Sequence, residues 1–217
     1  MITLLIATRN GHKVGEIRTI LGDRFRYLTL KDFPDSPIVI EDASTFAGNA
    51  TKKASGLAKW LAGVQAPAFN LQPSSVFVLA DDSGLEVDAL GGRPGVHSAR
   101  FAALDSAGHS NSTDAENNAK LLGLLNGVPS ENRTARFRCV IAFVGLDPDS
   151  AGMLEVFDGC CEGRIDVAPH GQGGFGYDPL FVPEGFTQSF AELGEEVKNR
   201  LSHRSQALAK LKKWLTR

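Results

Sequence analysis

Five consecutive apolar residues, Val76-Phe77-Val78-Leu79-Ala80, run straight into Asp81-Asp82. An unbroken apolar run of this length is what a central strand covered on both faces needs. Helical stripes that could cover it recur along the chain. Val14, Ile17, Ile20 and Leu21 fall at helical spacing, with Gly22 placed as a C-terminal cap. Ala47, Ala50, Ala54, Leu57, Ala58 and Leu61 form a longer stripe, started by Ser44 or Thr45. Thr113-Asp114-Ala115-Glu116 reads as a capping box ahead of Leu121, Leu122, Leu124 and Leu125, with Gly127 after them. A last helix carries Leu208, Leu211 and Leu215.

Strand patterns are interleaved with these helices. Residues 2–7, apolar apart from Thr3, predict a buried first strand. Leu85, Val87 and Ala89 alternate with Glu86 and Asp88, predicting a half-buried strand that ends at the turn Gly91-Gly92-Arg93-Pro94-Gly95. Ala135, Phe137, Cys139, Ile141 and Phe143 alternate through 134–146, and the turn Asp147-Pro148-Asp149-Ser150 leads to a strand near 153–161, giving a hairpin. Residues 63–75 and 171–176 read as loops. The class is α/β, and the hairpin predicts a mixed sheet rather than a purely parallel one.

A chain of 217 residues can bury a full core without disulfide or metal staples. Its 23 basic and 25 acidic residues leave a net charge of −2, which provides no bulk positive charge for a nucleic-acid polymer, while small anionic ligands stay possible. Three cysteines, two of them adjacent, make a poor disulfide framework and predict reduced thiols. The apolar N-terminus is too short for a signal peptide, and no stretch approaches the ~18 apolar residues of a membrane span. These readings predict a cytoplasmic protein with no membrane partner.

Four segments can carry chemistry. Thr8-Arg9-Asn10-Gly11-His12-Lys13 lies between a strand and a helix, where first-turn N–H groups and the helix dipole favour an anion. It lacks the glycine spacing of a P-loop. Residues 81–88 hold Asp81, Asp82, Glu86 and Asp88 and no base, an arrangement that a divalent metal would relieve, or else a polar turn with solvated carboxylates. Gly173-Gly174-Phe175-Gly176-Tyr177-Asp178-Pro179 lets a ligand ring approach backbone and stack on Phe175 or Tyr177, or is a turn with core aromatics. Residues 198–217 hold seven bases and no acid. Lys198, His203 and Arg204 precede the last apolar stripe, where helix starts do not favour cations, whereas Lys210, Lys212 and Lys213 suit a solvated face.

Order and spacing join these segments. Thr8-x-Asn10-x-x-Lys13 is followed by Thr45-Phe46-x-x-Asn49-Ala50 with Lys53. Next come Ala80-Asp81-Asp82-Ser83-Gly84-Leu85-x-Val87-Asp88 and Gly92-x-Pro94-Gly95-Val96-x-Ser98-Ala99-Arg100, then the 173–179 motif and Ser202-His203-Arg204. This series, from residue 2 to about 215, resembles the Ham1/RdgB family of inosine triphosphate pyrophosphatases. The 63–75 loop is longer than the resemblance leads one to expect.

The resemblance implies one domain over residues 1–217, an elongated mixed sheet flanked by helices that form two lobes around a central cleft, a homodimer and a magnesium ion. It implies hydrolysis of ITP, dITP and XTP to the monophosphate and pyrophosphate. By motif, Asp82 is the general base and a metal ligand. Glu41 resembles the other acidic metal site, with Asp42 beside it as the alternative. Thr8, Arg9, Asn10, Gly11, His12, Lys13 and Lys53 would hold the triphosphate, with Ser83 adjoining. Phe175, Gly176, Tyr177 and Asp178 would take the purine, with Phe175 stacking on it, and Lys198, His203 and Arg204 would address the base edge. An arginine has donors only, so it suits the C6 carbonyl of hypoxanthine or xanthine and opposes the amino group of adenine. Asp82-Ser83-Gly84 also matches an aspartic-protease turn, but such enzymes need two of these turns in an all-β fold, and the helical stripes contradict that.

Overall fold

The computed structural model describes residues 1–63, 75–105, 111–146 and 153–216. Six strands form one sheet in the order β2-β1-β3-β4-β5-β6. They are β1 (Thr3–Ile6), β2 (Arg26–Thr29), β3 (Val76–Val87), β4 (Thr134–Gly145), β5 (Leu154–Ile165) and β6 (Phe181–Pro183). β1 pairs in parallel with β2 and with β3, whereas β5 and β6 are antiparallel, so the sheet is mixed as the sequence predicts. The helices are α1 (Gly11–Leu21), α2 (Phe46–Gly63), α3 (Asp114–Leu124), α4 (Phe190–Leu201) and α5 (His203–Trp214). Among the described residues, no helix is long and apolar enough to cross a membrane.

The chain divides into two compact units, and the long strands β3, β4 and β5 each contribute to both. The first unit comprises residues 1–82, 139–158 and 207–217. Its core gathers Leu4 and Ile6 of β1, Ile17 and Leu21 of α1, Leu79 of β3, Cys139, Ile141 and Phe143 of β4, and Leu208 and Leu211 of α5. Leu215 packs beside it, one residue past the end of α5. α1 is capped at one end by Asn10 and at the other by Gly22, whose positive φ of 79° suits glycine.

The second unit comprises residues 83–138 and 159–206. Its core is aromatic: Phe101, Phe137, Tyr177, Phe181 and Phe190 pack with Leu85, Val87, Leu121, Leu125 and Leu180. α3 starts on the predicted capping box, Thr113 accepting from Glu116 N and Glu116 closing back on Thr113 N. α4 starts on a second one, Ser189 with Glu192, and its helical geometry is interrupted at Gly194.

Several expectations need correction. Val76–Val87 is one continuous strand, so Asp81-Asp82 lies inside β3 rather than at a strand end or in a turn. The half-buried strand stops at Val87; Ala89 is exposed on a single 3₁₀ turn over Asp88–Leu90. Ala47 is exposed, and the buried stripe of α2 instead includes Phe46 and Asn49. Leu124 is also exposed. β2, β6 and α4 have no counterpart in the sequence reading. The loop residues 64–74 and the turn residues 147–150 lie outside the described residues.

The cysteines are free thiols. Cys139 is buried in β4, and Cys160 and Cys161 sit side by side in β5.

Candidate active site

The first unit concentrates charge around Asp81 and Asp82. Strand alternation sends consecutive side chains to opposite faces of β3. The two carboxylates accordingly have different partners. Asp81, buried, is paired with Lys13 and accepts from the Cys139 thiol at 3.1 Å. Lys13 reaches it because Lys13, Ile17 and Leu21 are four residues apart on α1 and share a face. Asp82, 8% exposed, is hydrogen-bonded by the Asn49 side chain of α2. One turn further along α2, Lys53 donates to the Asp81 carbonyl at 3.1 Å and pairs with Glu41 at 2.9 Å.

The Asp82 carboxyl is pushed up to about 6. Burial is the main cause, with Glu41 adding to it; Lys13, Lys53 and the Asn49 hydrogen bond oppose the rise. The repulsion between neighbouring carboxylates expected from the sequence is therefore not what raises it. The Oδ2 atom of Asp82 is buried and accepts no hydrogen bond. A buried carboxylate oxygen without a partner is costly unless something binds it.

That oxygen and Glu41 are the observations against which a metal can be tested. Both are hard oxygen donors, and the Glu41 side chain is about one-third exposed (32%). Among the described residues no three His, Cys, Asp or Glu side chains cluster as a metal cage. Two carboxylates with the remaining positions open suit magnesium, which keeps waters and substrate oxygens in its shell. Asp42 points elsewhere: exposed, it pairs with Lys52, which holds its carboxyl below the usual range. Glu86 and Asp88 fall in the second unit. There Asp88 is bidentate with Arg136 at 3.0 Å and accepts from Thr134.

In the 8–13 segment Asn10 caps α1, accepting from His12 N at 2.9 Å and Lys13 N at 3.3 Å. Those two amides, expected to face an anion, are thus engaged by the cap. Thr8 accepts from Asn10 N, and Arg9 reaches Ser36 at 3.4 Å. Gly11 and His12 are exposed at the helix start.

The second unit builds its own cluster around Phe175. Asp178, 2% exposed, accepts from Phe175 N at 2.8 Å and from Lys198 at 2.5 Å. Lys198 Nζ lies 4.2 Å from the centre of the Phe175 ring and the Arg204 guanidinium 5.8 Å from it, so two cations line the aromatic group. Arg204 is buried and donates to Ser83 at 2.8 Å. His203 stacks on Phe137, ring centres 4.8 Å apart. Both lie in the first turn of α5, after Ser202, whose hydroxyl caps the helix by accepting from Ser205 N. Lys210 and Lys213 are exposed as expected, whereas Lys212 is half-buried and Arg217 lies outside the described residues.

Tyr177 differs from the expectation of a stacking platform. Its ring is in the core and its hydroxyl donates to the Ser98 carbonyl at 2.8 Å, where burial pushes the phenol far up. The loop itself is held from α3, since Gly176 N donates to Asp114 at 2.6 Å and Asn118 donates to the Gly176 carbonyl at 3.0 Å. Asp114, Asn118 and Asn49 carry no role in the sequence reading. The signal for Asn49 was a polar residue on an otherwise apolar helix stripe.

Glycine is required at 174. Its φ is +75°, and a Cβ there would collide with the Asp178 carboxylate. Gly176 also has positive φ, 64°, but open space around it. Gly174→Ala should therefore destabilise the protein by about 2 kcal/mol or more, and Gly176→Ala by less, since only backbone strain applies there. Urea denaturation of the two variants checks the ranking; equal losses would remove the collision as a cause.

The model of the Ham1 family matches residues 4–214. The chain is 48% identical over 213 residues to the dITP/XTP pyrophosphatase of Geobacter sulfurreducens, covering 98% of this chain and 96% of the relative. It is 44% identical over 213 residues to the dITP/XTP pyrophosphatase of Shouchella clausii, with the same coverage. Among solved structures it is similar to the Ham1 protein of Staphylococcus aureus, with a TM-score of 0.78, 36% identity and 99% and 98% of the two chains covered. The HAM1 protein of Coxiella burnetii gives 0.79 and 34%, covering 100% and 99%.

Proposed function

This chain belongs to the Ham1 family, and we propose on that premise that it is a dITP/XTP pyrophosphatase acting on ITP, dITP and XTP. Water attacks the α-phosphorus, the bond from that phosphorus to the oxygen bridging to the β-phosphate breaks, and the nucleoside monophosphate and pyrophosphate separate. The observation that carries this reading is Asp82: a buried carboxyl, raised to about 6, with one oxygen accepting no hydrogen bond.

Asp82 is ionised at neutral pH yet basic enough to take the proton of the attacking water. Lys13 and Lys53 supply positive charge for the triphosphate, and the 8–13 turn brings Lys13 to it. Glu41 and Asp82 are the residues that would hold magnesium. When bound, the ion would offset charge growing on the pyrophosphate. Phe175 offers its ring to the purine, and Lys198 and Arg204 beside that ring offer donors to the carbonyl oxygens of hypoxanthine and xanthine. Asp178 orients Phe175 through its backbone N–H, and Ser83 orients Arg204. Tyr177 acts through the core rather than on the base. On the same premise the protein is a cytoplasmic homodimer.

Pyrophosphate release with magnesium across a panel of dITP, ITP, XTP, dATP and dGTP tests the reading. Turnover of the first three far above the last two is expected, and equal or absent turnover overturns it. Arg204→Ala should raise KM for ITP and narrow the ratio of kcat/KM for ITP over ATP. An unchanged ratio would remove Arg204 from base recognition.

A further inference from the structure

Asn49 belongs to the Thr45-Phe46-x-x-Asn49-Ala50 signature, yet the reaction just described gives it no part. It is a polar side chain only 1% exposed on the buried stripe of α2. Its Oδ1 accepts from the backbone N–H of Ala43 at 2.9 Å. That bond fixes which end of the amide faces which way, so the Nδ2 hydrogens are what remain for Asp82, to which the side chain is hydrogen-bonded. Ala43 lies two residues after Glu41 and is pressed on α2 so closely that a Cβ at Gly48 would stand 2.7 Å from the Ala43 Cβ. One amide therefore holds the Glu41 segment with its oxygen and turns its nitrogen to the Asp82 carboxylate, whose Oδ2 accepts no hydrogen bond.

We propose that Asn49 is a positioning residue that sets the spacing of Glu41 and Asp82 for a divalent cation. The proposal rests on the reading of those two carboxylates as the cation ligands. Neighbours that orient metal-binding groups commonly change affinity or activity about 10–100-fold when removed.

The side chain has two separable jobs, and Asn49→Asp separates them. Aspartate keeps an acceptor for Ala43 N and nearly the same shape, but presents an oxygen to Asp82 where the wild type presents a donor. Asn49→Ala removes both contacts. Nucleotide-free wild type and both variants are titrated with Mn²⁺, followed by electron paramagnetic resonance; kcat and KM for dITP are measured at saturating magnesium, and melting is recorded without metal. The proposal expects both variants to bind Mn²⁺ about 10–100-fold more weakly and to lose kcat to a similar degree, with KM within about twofold and Asn49→Asp no better than Asn49→Ala. An Asn49→Asp protein that binds Mn²⁺ and turns over like wild type overturns it, because the Ala43 contact alone would then suffice. So does a loss of turnover that only follows a lowered melting temperature while Mn²⁺ affinity is retained. Should wild type fail to hydrolyse any deaminated triphosphate, the functional reading falls, while the Mn²⁺ titrations still decide the role of Asn49.

Discussion

Asp82→Asn protein should be folded, inert as a pyrophosphatase and, without metal, harder to unfold than wild type. Turnover should fall by about 10²–10⁴-fold or more, the range for loss of a general base, since a metal ligand is removed as well. The stability gain follows from the sign of the shift. The Asp82 carboxyl is raised in the folded protein from 3.8 to about 6, so the folded state binds its proton more tightly than the unfolded state does. Wild type is therefore penalised as pH rises from about 4 to about 6, and carries the full penalty above that. A shift of about two pH units corresponds to roughly 3 kcal/mol. Asparagine never ionises and escapes it. Urea denaturation in the presence of a chelator should show the two proteins close together at pH 4 and the variant ahead at pH 7.5. A gap that does not widen with pH would mean that Asp82 is not held at a cost, and near-normal pyrophosphate release would remove it as the base.

Lys198→Met should be the most damaging single change in the second unit. Lys198 and Asp178 are both almost fully buried, 3% and 2% exposed, and 2.5 Å apart. Removing the cation breaks a buried ion pair, a change that costs about 3–5 kcal/mol. For a chain of this size that lowers the melting temperature by on the order of 10 °C. The loss should spread to function, because the same Asp178 oxygen holds Phe175 N. Asp178→Asn added to Lys198→Met should recover part of the stability, since the amide carries no charge and still accepts from Phe175 N. If the double variant is no more stable than Lys198→Met, the charge of Asp178 beside the lost cation is not the cause.

What the sequence made legible was local. Thr113 and Glu116 are three residues apart and satisfy each other, so the start of α3 could be read without knowing the fold. Ser189 and Glu192 form the same device, but Gly194 breaks the apolar periodicity behind it, which hides α4 in the sequence. β2 and β6, four and three residues long, are too short to display alternation. Asp81-Asp82 stands out in the sequence as adjacent carboxylates after an apolar run. The charges suggested that the strand had ended, whereas partners far along the chain allow it to continue: Lys13 is 68 residues from Asp81 and Cys139 is 58. The choice between Glu41 and Asp42 was likewise out of reach, because it depends on which lysine of α2, Lys53 or Lys52, each one meets. Tyr177 and Phe175 look equivalent in the motif; only the core separates a ring bonded to Ser98 from one lined by cations.

The three thiols have a practical consequence for anyone who wishes to watch this protein move. Cys160 and Cys161, neighbours on β5, point to opposite faces, and burial pushes them up to about 11 and about 12. Cys139 is fully buried against Asp81. Only the thiolate reacts with maleimides, and thiols raised in this way are little ionised at pH 8. The native chain is thus a quiet background for site-directed labelling. A single cysteine placed at a surface position such as Ile38, 82% exposed, would take a fluorophore or spin label first, with the native cysteines left in place.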